Sequence, residues 1–235
     1  MVDQRPVRFG LKQPSIHNVV ITTNTGGHLD LPFLARNLPN ANYNPKRFAA
    51  VIIRQRVPYT TALLFTTGKI VCTGAPTVEM AHTALISFVN MLRKIHVAVQ
   101  YTTFQVVNIV GASGFVQPDA VLRLNSLRND HAVEYEPELF PGLSKRFRMI
   151  DGTSVMVIIF SSGKMILTGN RYVSHLTEVL IHVQRWIENS CYIEVHPERK
   201  RKRRTRLLKS QRRRTQGPVP STDKSSEEVT RNEGV

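Results

Sequence analysis

Cysteine is scarce in this chain. Only Cys72 and Cys191 occur among its 235 residues, and they do not have the spacing of a metal site. A disulfide framework is therefore excluded, and a reducing compartment is favoured. Long apolar runs are missing too, because no stretch approaches the roughly eighteen uncharged apolar residues that cross a bilayer. Residues 1–10 also lack the apolar core of a signal peptide.

Sequence patterns typical of enzymes are also missing. Gly68-Lys69 and Gly163-Lys164 lack the earlier glycine and the following Ser or Thr of a phosphate-binding loop, and a strand rather than a helix follows each pair. No His pair has metal-ligand spacing, and the carboxylates do not pair convincingly. Cys72 lies in an apolar segment, which favours a packed thiol over a reactive one. We predict that the chain is not an enzyme and uses no metal and no cofactor.

Positive charge is abundant but unevenly distributed. The formal net charge is +15 at pH 7. Residues 199–214 carry eleven Lys and Arg and no acid, whereas residues 1–198 carry nineteen bases and thirteen acids. This balance favours a polyanionic partner, either nucleic acid or an anionic membrane. The basic run is typical of a nuclear-import signal, a DNA contact or both, and a solvated tail without such a role is the alternative.

Three strings of the chain occur twice in the same order, which indicates an internal duplication. The offset between the copies rises from 90 to 95 residues, so the second copy contains a few inserted residues. Two copies are too few for a solenoid and favour a pseudo-twofold pair. The repeated strings are HNVVI at 17–21 and VNIVG at 107–111, YNPKRF at 43–48 and YEPELF at 135–140, and TALLFTTGKIVCTG at 61–74 and VMVIIFSSGKMILTG at 155–169.

Each copy has the same predicted order of elements: an apolar β-branched strand, a short helix, several strands and a longer closing helix. The closing helices are predicted from apolar residues at helical spacing. The predicted opening strands are 18–23 and 103–110, the short helices lie near 29–37 and 118–126, and the closing helices span 78–95 and 173–187.

About ten strands and two long helices leave one sheet face uncovered. That face is expected to be polar, yet the strands are apolar at both alternating positions: Thr61, Leu63 and Phe65 share one face, and Ala62 and Leu64 share the other. A large apolar face without a cover indicates an interaction surface.

The strings NPKRFAAVI, TTALLFTTGKIVCTG and YEPELFPGL resemble the most characteristic segments of the TATA-box-binding protein family, and the resemblance covers nearly all of residues 14–190. It implies an α+β fold: a pseudo-twofold saddle of two tandem repeats, with a curved antiparallel sheet of about ten strands and helices on the convex face. The implied domains are an N-terminal extension at 1–13, a first repeat at 14–98, a second repeat at 99–196 and a basic disordered C-terminal tail at 197–235.

The resemblance implies a nuclear general transcription initiation factor. Such a factor binds and bends A–T-rich, TATA-like promoter DNA through the minor groove and nucleates assembly of the preinitiation complex. In that family four phenylalanines enter two base steps and kink the duplex. A lone strand Phe is usually a core residue, but recurrence at matched places in both copies favours wedges. The matching residues are Phe48, Phe65, Phe140 and Phe160.

The resemblance also assigns polar and apolar contacts to DNA. Asn18 and Asn108 match the pair that donates to base acceptors shared by A·T and T·A, the alternative being side chains bonded to the backbone. The apolar floor, which disfavours the exocyclic amine of guanine, comprises Val20, Leu63, Val71, Thr73, Val110, Ile158, Ile166 and Thr168. The implied phosphate contacts are Arg47, Arg54, Lys69 and Lys164, with Arg146 or Arg148 serving in the second copy.

One of the two surfaces that contact protein partners in the family matches this sequence, and the other differs from it. Glu136, Glu138 and Leu139 match a loop that meets transcription factor IIB, and carboxylates beside phosphates call for a basic partner. The long first-copy helix is strongly basic in most relatives but has only His82 and the pair Arg93-Lys94 here, so transcription factor IIA and the associated factors stay open as partners.

A second interpretation stays open beside the promoter factor. The chain also differs from the usual family core by about three extra residues after Phe140 and by its polybasic tail. A paralogous TATA-box-binding-protein-related factor, acting as a protein-interaction scaffold or at non-TATA promoters, is therefore the alternative. The extra residues could shift the second pair of wedges.

Overall fold

The computed structural model describes residues 10–101, 103–117, 120–128, 130, 132–190 and 193–195. The chain divides into two units, Met1–Val195 and His196–Val235. All the structure reported below lies in the first unit. The predicted basic tail and most of the predicted N-terminal extension lie outside the described residues.

Ten strands form one antiparallel sheet, and two further strands form a separate pair. The strands of the large sheet are β1 Ser15–Asn24, β2 Ala41–Asn44, β3 Phe48–Arg56, β4 Tyr59–Phe65, β5 Lys69–Ala75, β6 Gln105–Ser113, β8 Val133–Glu134, β9 Gly142–Arg148, β10 Ser154–Phe160 and β11 Met165–Asn170. The pair comprises β7 Ala120–Leu122 and β12 Ile193–Val195. The large sheet is curved, and its order is β2-β3-β4-β5-β1-β6-β11-β10-β9-β8.

The strand order reads as two equivalent halves that meet at β1 and β6. Each repeat supplies five strands in the same relative positions, so the order is symmetric about the centre. At that centre Asn18 pairs with Val110 and Val20 pairs with Asn108, on either side of the pair formed by Val19 and Ile109. The predicted pseudo-twofold sheet of two tandem repeats is confirmed.

Three helices pack on the buried side of this sheet: α1 Leu31–Asn37, α2 Val78–Lys94 and α3 Ser174–Ser190. The Asp30 carboxylate accepts from the Phe33 N–H at the start of α1, and the Thr77 hydroxyl accepts from the Met80 N–H at the start of α2. One face of α2 is buried in the core through Ala81, Ala84, Leu85, Phe88, Val89 and Leu92. The predicted closing helices and the first short helix are confirmed.

The prediction of a second short helix near 118–126 was wrong. That segment instead contains strand β7 and a 3₁₀ helix at Leu124–Leu127. The physical reason is tertiary: β7 pairs antiparallel with β12, which the local apolar pattern does not reveal. Leu124 and Leu127 are both buried, and their spacing of three matches the three residues per turn of a 3₁₀ helix.

The extra residues of the second copy lie in the turn between β9 and β10. In the first repeat Arg56 pairs with Tyr59 across a two-residue turn, whereas in the second Arg148 pairs with Ser154 across a five-residue turn. The pairing from Gly142 to Arg148 is unbroken. The insertion is therefore absorbed at the end of the hairpin away from Phe140. No helix among the described residues is long and apolar enough to cross a membrane.

Candidate nucleic-acid interface

Alternation of burial along the strands defines an apolar face that the helices do not cover. In β4, Ala62 and Leu64 are completely buried beneath the helices, whereas Leu63 and Phe65 are only half-buried. Strand β10 shows the same alternation of buried and half-buried residues from its second residue onward. We call the half-buried side of the ten-stranded sheet the open face. Its side chains are shielded from water only by each other, so covering them with a ligand is favourable.

The residues predicted as an apolar floor all lie on the open face. In the first repeat Leu63 pairs with Val71, and in the second Ile158 pairs with Ile166. None of the eight is buried under the helices: Val20, Leu63, Val71, Thr73, Val110, Ile158 and Thr168 are half-buried and Ile166 is exposed. Because β1 and β6 join the two halves, the floor is continuous across the centre of the sheet.

The four predicted wedge residues form two matching pairs. The ring centroids of Phe48 and Phe65 are 6.1 Å apart at an interplanar angle of 70°, and those of Phe140 and Phe160 are 5.8 Å apart at 64°. Phe48 is 43% exposed and Phe140 is 48% exposed, which is unusual for so large an apolar ring. The insertion in the second copy has therefore not shifted the second pair, and the expectation that it could do so is not met.

Gly142 makes room for the second pair of rings. A Cβ atom at this position would lie 2.6 Å from the Phe140 ring and 3.1 Å from the Phe160 ring. In the first repeat Ala50 occupies the equivalent place, opposite Phe65, as Gly142 lies opposite Phe160. The sequence alone did not single out this glycine, because its place beside the rings depends on the strand register.

The two asparagines have fixed amide orientations. Oδ1 of Asn18 accepts from the Gly74 N–H at 2.7 Å, and Oδ1 of Asn108 accepts from the Gly169 N–H at 2.9 Å. A backbone N–H can only donate, so it places the oxygen inward and leaves the NH₂ group toward the open face. The amide oxygen is thus the end that bonds to the backbone, as the alternative expected. The NH₂ group is the end that was predicted to contact a base.

The glycines that hold these amides were also missed by the sequence reasoning. Gly74 and Gly169 have φ values of 108° and 88°, a region that favours glycine. The repeated Thr-Gly at 73–74 and 168–169 was a visible signal, but the sequence shows only that it recurs. Thr73 adds a bond from its hydroxyl to Oδ1 of Asn18 at 3.1 Å, whereas the Thr168 hydroxyl lies 3.3 Å from Nδ2 and 3.4 Å from Oδ1 of Asn108.

Exposed cations surround the open face. In the described part of the chain none of them forms an ion pair with an acid, so their charges are available to a ligand. They are Arg47, Arg54, Lys69, Arg146, Arg148 and Lys164. By register Arg146 is the counterpart of Arg54, because Arg54 pairs with Thr61 and Arg146 pairs with Met156, which are equivalent positions. Arg148 corresponds instead to Arg56.

The loop before Phe140 is acidic and exposed, unlike its counterpart. Glu136 and Glu138 are exposed and Leu139 is 87% exposed, while the equivalent stretch of the first repeat carries Lys46 and Arg47. Backbone N–H groups of Leu139 and Phe140 donate to the Glu136 carbonyl and shape this loop into a turn. The two equivalent loops therefore differ in the sign of their charge.

Side chains that could bind a metal are not clustered in the described part of the chain. Within it no group of three or more His, Cys, Asp or Glu is arranged to hold a metal ion. Burial raises the pKa of the Cys72 thiol to about 12, so this packed cysteine stays protonated at neutral pH.

Comparison with known proteins gives a consistent result. The family model described as transcription factor TFIID (or TATA-binding protein, TBP) matches residues 13–95 and 103–190. A TATA-box-binding protein of Tetrahymena thermophila is 46% identical over 158 residues, which cover 66% of this chain and 62% of the relative. One from Acanthamoeba castellanii is 41% identical and covers 72% of this chain and 64% of the relative. The match thus spans less than two thirds of these two relatives.

A shorter relative and a solved structure are covered more completely. The TATA-box-binding protein of Dictyostelium discoideum is 40% identical, with 72% of this chain and 81% of the relative covered. The structure of Methanococcus jannaschii TBP matches with a TM-score of 0.66 and 31% identity, covering 76% of this chain and 99% of that chain.

Proposed function

This chain belongs to the TATA-binding protein family of transcription factors, and from that premise we propose that it binds A–T-rich promoter DNA in the minor groove, bends it and nucleates preinitiation complex assembly. The observation that carries the proposal is the presence of two matching phenylalanine pairs, one at each end of an uncovered apolar floor. The proposal keeps the repeats at 14–98 and 99–196 and a nuclear location.

Insertion of the phenylalanines explains how the DNA is bent. A flat ring that enters a base step replaces part of the lost stacking, which lowers an unstacking cost of a few kcal/mol per step. Phe48 and Phe140 already have about half of their surface exposed, so little protein contact is lost on insertion. Because the two pairs have nearly equal geometry, two similar kinks are expected.

Base preference follows from the floor and the amides. The NH₂ groups of Asn18 and Asn108 would donate to the acceptors N3 of adenine and O2 of thymine, which A·T and T·A both present. A guanine amine over the apolar floor would lose its hydrogen bonds to water without a replacement, at about 1–3 kcal/mol. The site therefore distinguishes A–T from G–C pairs and not A·T from T·A.

The flanking cations supply affinity rather than sequence preference. The four arginines and two lysines around the open face would meet backbone phosphates and release counterions. We assign the second-repeat counterpart of Arg54 to Arg146 on its register position and give Arg148 a peripheral role. Binding is then expected to weaken steeply as salt concentration rises.

The acidic loop is proposed as a protein contact. Glu136 is already paired with Arg128, whose Nη2 lies 3.9 Å from Oε1 of Glu136. Glu138, at the edge of a DNA-binding face, is repelled by phosphates unless a basic partner neutralises it. Leu139, with 87% of its surface exposed, supplies the apolar anchor for such a contact. A transcription factor IIB-like protein fits this chemistry, whereas transcription factor IIA and the associated factors would meet a first-repeat helix that is nearly neutral.

A gel-shift assay with circularly permuted duplexes tests the proposal. The full chain should retard an A–T-rich duplex more strongly than a G–C duplex of equal length, with a mobility that depends on the position of the site. Retardation without base preference and without positional dependence would instead support the protein-interaction scaffold.

A further inference from the structure

A histidine lies beside Asn18 at the centre of the ten-stranded sheet. The pairing of β1 with β6 skips His17, which directly precedes Asn18 in the chain. On β6 the pairing skips Val107, which directly precedes Asn108. The two repeats therefore carry equivalent bulges next to their asparagines, but one bulge presents an imidazole and the other an isopropyl group.

The hydroxyl of Ser15 places the His17 ring on the open face. Ser15 pairs with Ala112, which in turn pairs with Ile166 of the floor, and paired residues of neighbouring strands share a face. Nε2 of His17 lies 3.1 Å from Oγ of Ser15. The imidazole therefore lies on the side of the sheet that is proposed to meet DNA, and it is exposed there.

The bonds of Ser15 decide which ring nitrogen of His17 is left for a ligand. The Ser15 hydroxyl donates to the Ala112 carbonyl at 3.3 Å, and this bond uses its single proton. The Ser15 oxygen then accepts from Nε2–H of the neutral ring, and among the described residues nothing bonds to Nδ1. Protonation at Nδ1 therefore gives the ring a positive charge and a second N–H donor without breaking an existing bond.

The strands around His17 contain lysines and no acid. Strands β1, β6 and β11 have no other titratable side chain, and β5 adds only Lys69 at its far end and Cys72 on the buried side. The exposed Lys12 and Lys164 lie beside the end of β6 that is nearest to this ring. The helices pack on the other side of the sheet. Within the described part of the chain, no carboxylate on these strands compensates a charge on the imidazole, whereas a bound anion would.

We propose that protonated His17 is a further DNA contact, in which Nδ1–H donates to a backbone phosphate near the centre of the site. This inference rests on the proposed DNA binding and adds a pH dependence to it. A histidine side chain changes its charge between about pH 5 and 8, and hydrogen bonds from a charged donor to phosphate are strong. Affinity therefore rises as the pH falls, because the protonated ring is the form that binds. Val107 cannot make this contact, so the contact belongs to the first repeat alone.

Fluorescence anisotropy of a labelled A–T-rich duplex, titrated with the full chain from about pH 8 to about pH 5.5 at constant ionic strength, tests the proposal. His17→Gln removes the ionisable ring but keeps an amide that can bond to Ser15. His182→Gln is the matched control, because α3 lies on the other side of the sheet. We expect the wild type and the control to gain about tenfold more affinity over this range than His17→Gln does.

Further measurements identify the ionising group and its acceptor. Calorimetry at about pH 7 in two buffers of different ionisation enthalpy should show that the wild type takes up more protons on binding DNA than His17→Gln does. At the lowest pH the salt slope of the wild type should exceed that of His17→Gln by about 0.9, as for one phosphate contact, and at the highest pH the two slopes should agree. Ser15 is a positioning residue, so Ser15→Ala should show a smaller pH-dependent gain than the wild type.

The possible outcomes separate this inference from the proposed function. Parallel pH profiles of the wild type and His17→Gln, or equal salt slopes at the lowest pH, overturn the inference while preference for the A–T-rich duplex upholds DNA binding. A wild-type chain that binds this duplex at no pH overturns the proposed function itself. A pH-dependent gain that is lost in His17→Gln and kept in His182→Gln, with both variants folded by thermal unfolding, supports the inference.

Discussion

The backbone N–H of Gly74 donates to Oδ1 of Asn18 at 2.7 Å, and this bond decides which end of the amide faces the open sheet. The same relationship recurs between Gly169 and Asn108 at 2.9 Å. Two donors are thus held on either side of the central strand pair before any ligand arrives. Such fixed orientation lowers the ordering cost of binding.

Asn18→Asp should keep the bond from Gly74 but replace the outward NH₂ group by an oxygen. That oxygen cannot donate to base acceptors and is repelled by them, so affinity for an A–T-rich duplex should fall about ten- to a hundredfold, which corresponds to about 1–3 kcal/mol. Gel-shift titration measures the loss. Asn108→Asp is the matched variant. Equal affinity of the wild type and both variants would show that the two amides do not contact the bases.

Phe48→Ala and Phe140→Ala should each reduce DNA bending at one end of the site. Both rings are about half exposed, so the cost in protein stability should be smaller than the roughly 3–5 kcal/mol of a buried Phe. Circular-permutation mobility gives the bend, and thermal unfolding gives the stability. Phe33→Ala on α1 is the control and should leave the bend unchanged. A full bend with either wedge removed would contradict insertion.

Gly142→Ala should disturb the second pair of rings together with Ile158 of the apolar floor, whose Cγ2 would lie 2.9 Å from the added Cβ. The added methyl would lie 2.6 Å from the Phe140 ring, so the pair must move from its 5.8 Å spacing. We expect a smaller bend at the second-repeat end and an unchanged bend at the other, as resolved by fluorescence energy transfer across each half of the duplex. Ala50→Gly at the equivalent first-repeat position is the comparison. An equal loss at both ends would mean that the whole sheet had shifted.

Arg54→Gln and Arg146→Gln should lower the salt dependence of binding by similar amounts. Their equivalent positions opposite Thr61 and Met156 predict one phosphate contact each, and therefore a slope smaller by about one unit. Binding measured over a series of salt concentrations provides the slope. Arg148→Gln should have a smaller effect, and a larger effect of Arg148 than of Arg146 would contradict the register assignment.

Asp130→Asn should reduce the dependence of stability on acid pH. The bond from the Lys145 ammonium, followed by the Ala132 N–H, holds the pKa of the Asp130 carboxyl below its ordinary value. A depressed pKa means that this carboxylate stabilises the fold above its unfolded pKa near 3.8 and loses that contribution as pH falls through the folded value. The difference in Tm between wild type and variant should therefore shrink as the pH is lowered from 6 toward roughly 3.

Trp186 reports on this cluster directly. It is the single tryptophan of the chain, and its Nε1–H donates to Oδ2 of Asp130 at 3.0 Å. Its fluorescence can follow the unfolding of the wild type and the variant over the same pH range. Parallel stability curves at every pH would show that the carboxylate contributes nothing.

Duplication and strand alternation made the main architecture predictable from sequence. Alternating positions such as Leu63 and Leu64 are both apolar, and that pattern alone indicated a sheet with one covered and one uncovered face. The prediction failed at 118–126, where apolar spacing resembles a helix but pairing with β12 imposes a strand. Tertiary pairing of this kind is not written in the local pattern.

The finer details of the site depend on geometry that a sequence does not contain. The choice between Arg146 and Arg148 requires knowing where an insertion falls, and only the pairing of β9 with β10 places it after Arg148. The orientation of the Asn18 amide depends on a glycine 56 positions away. Both follow from the register of paired strands rather than from residue type.

The opposite charges of the two loops, Lys46-Arg47 in one repeat and Glu136 with Glu138 in the other, have a consequence for polarity. The floor and the amides of the two halves are nearly interchangeable, so a stretch of A–T pairs bound as proposed would fit them equally well with the protein turned end for end. A promoter is read in one direction only. The two loops make the ends of the molecule different. A partner that recognises the acidic loop would therefore select one of the two orientations of the protein on the DNA.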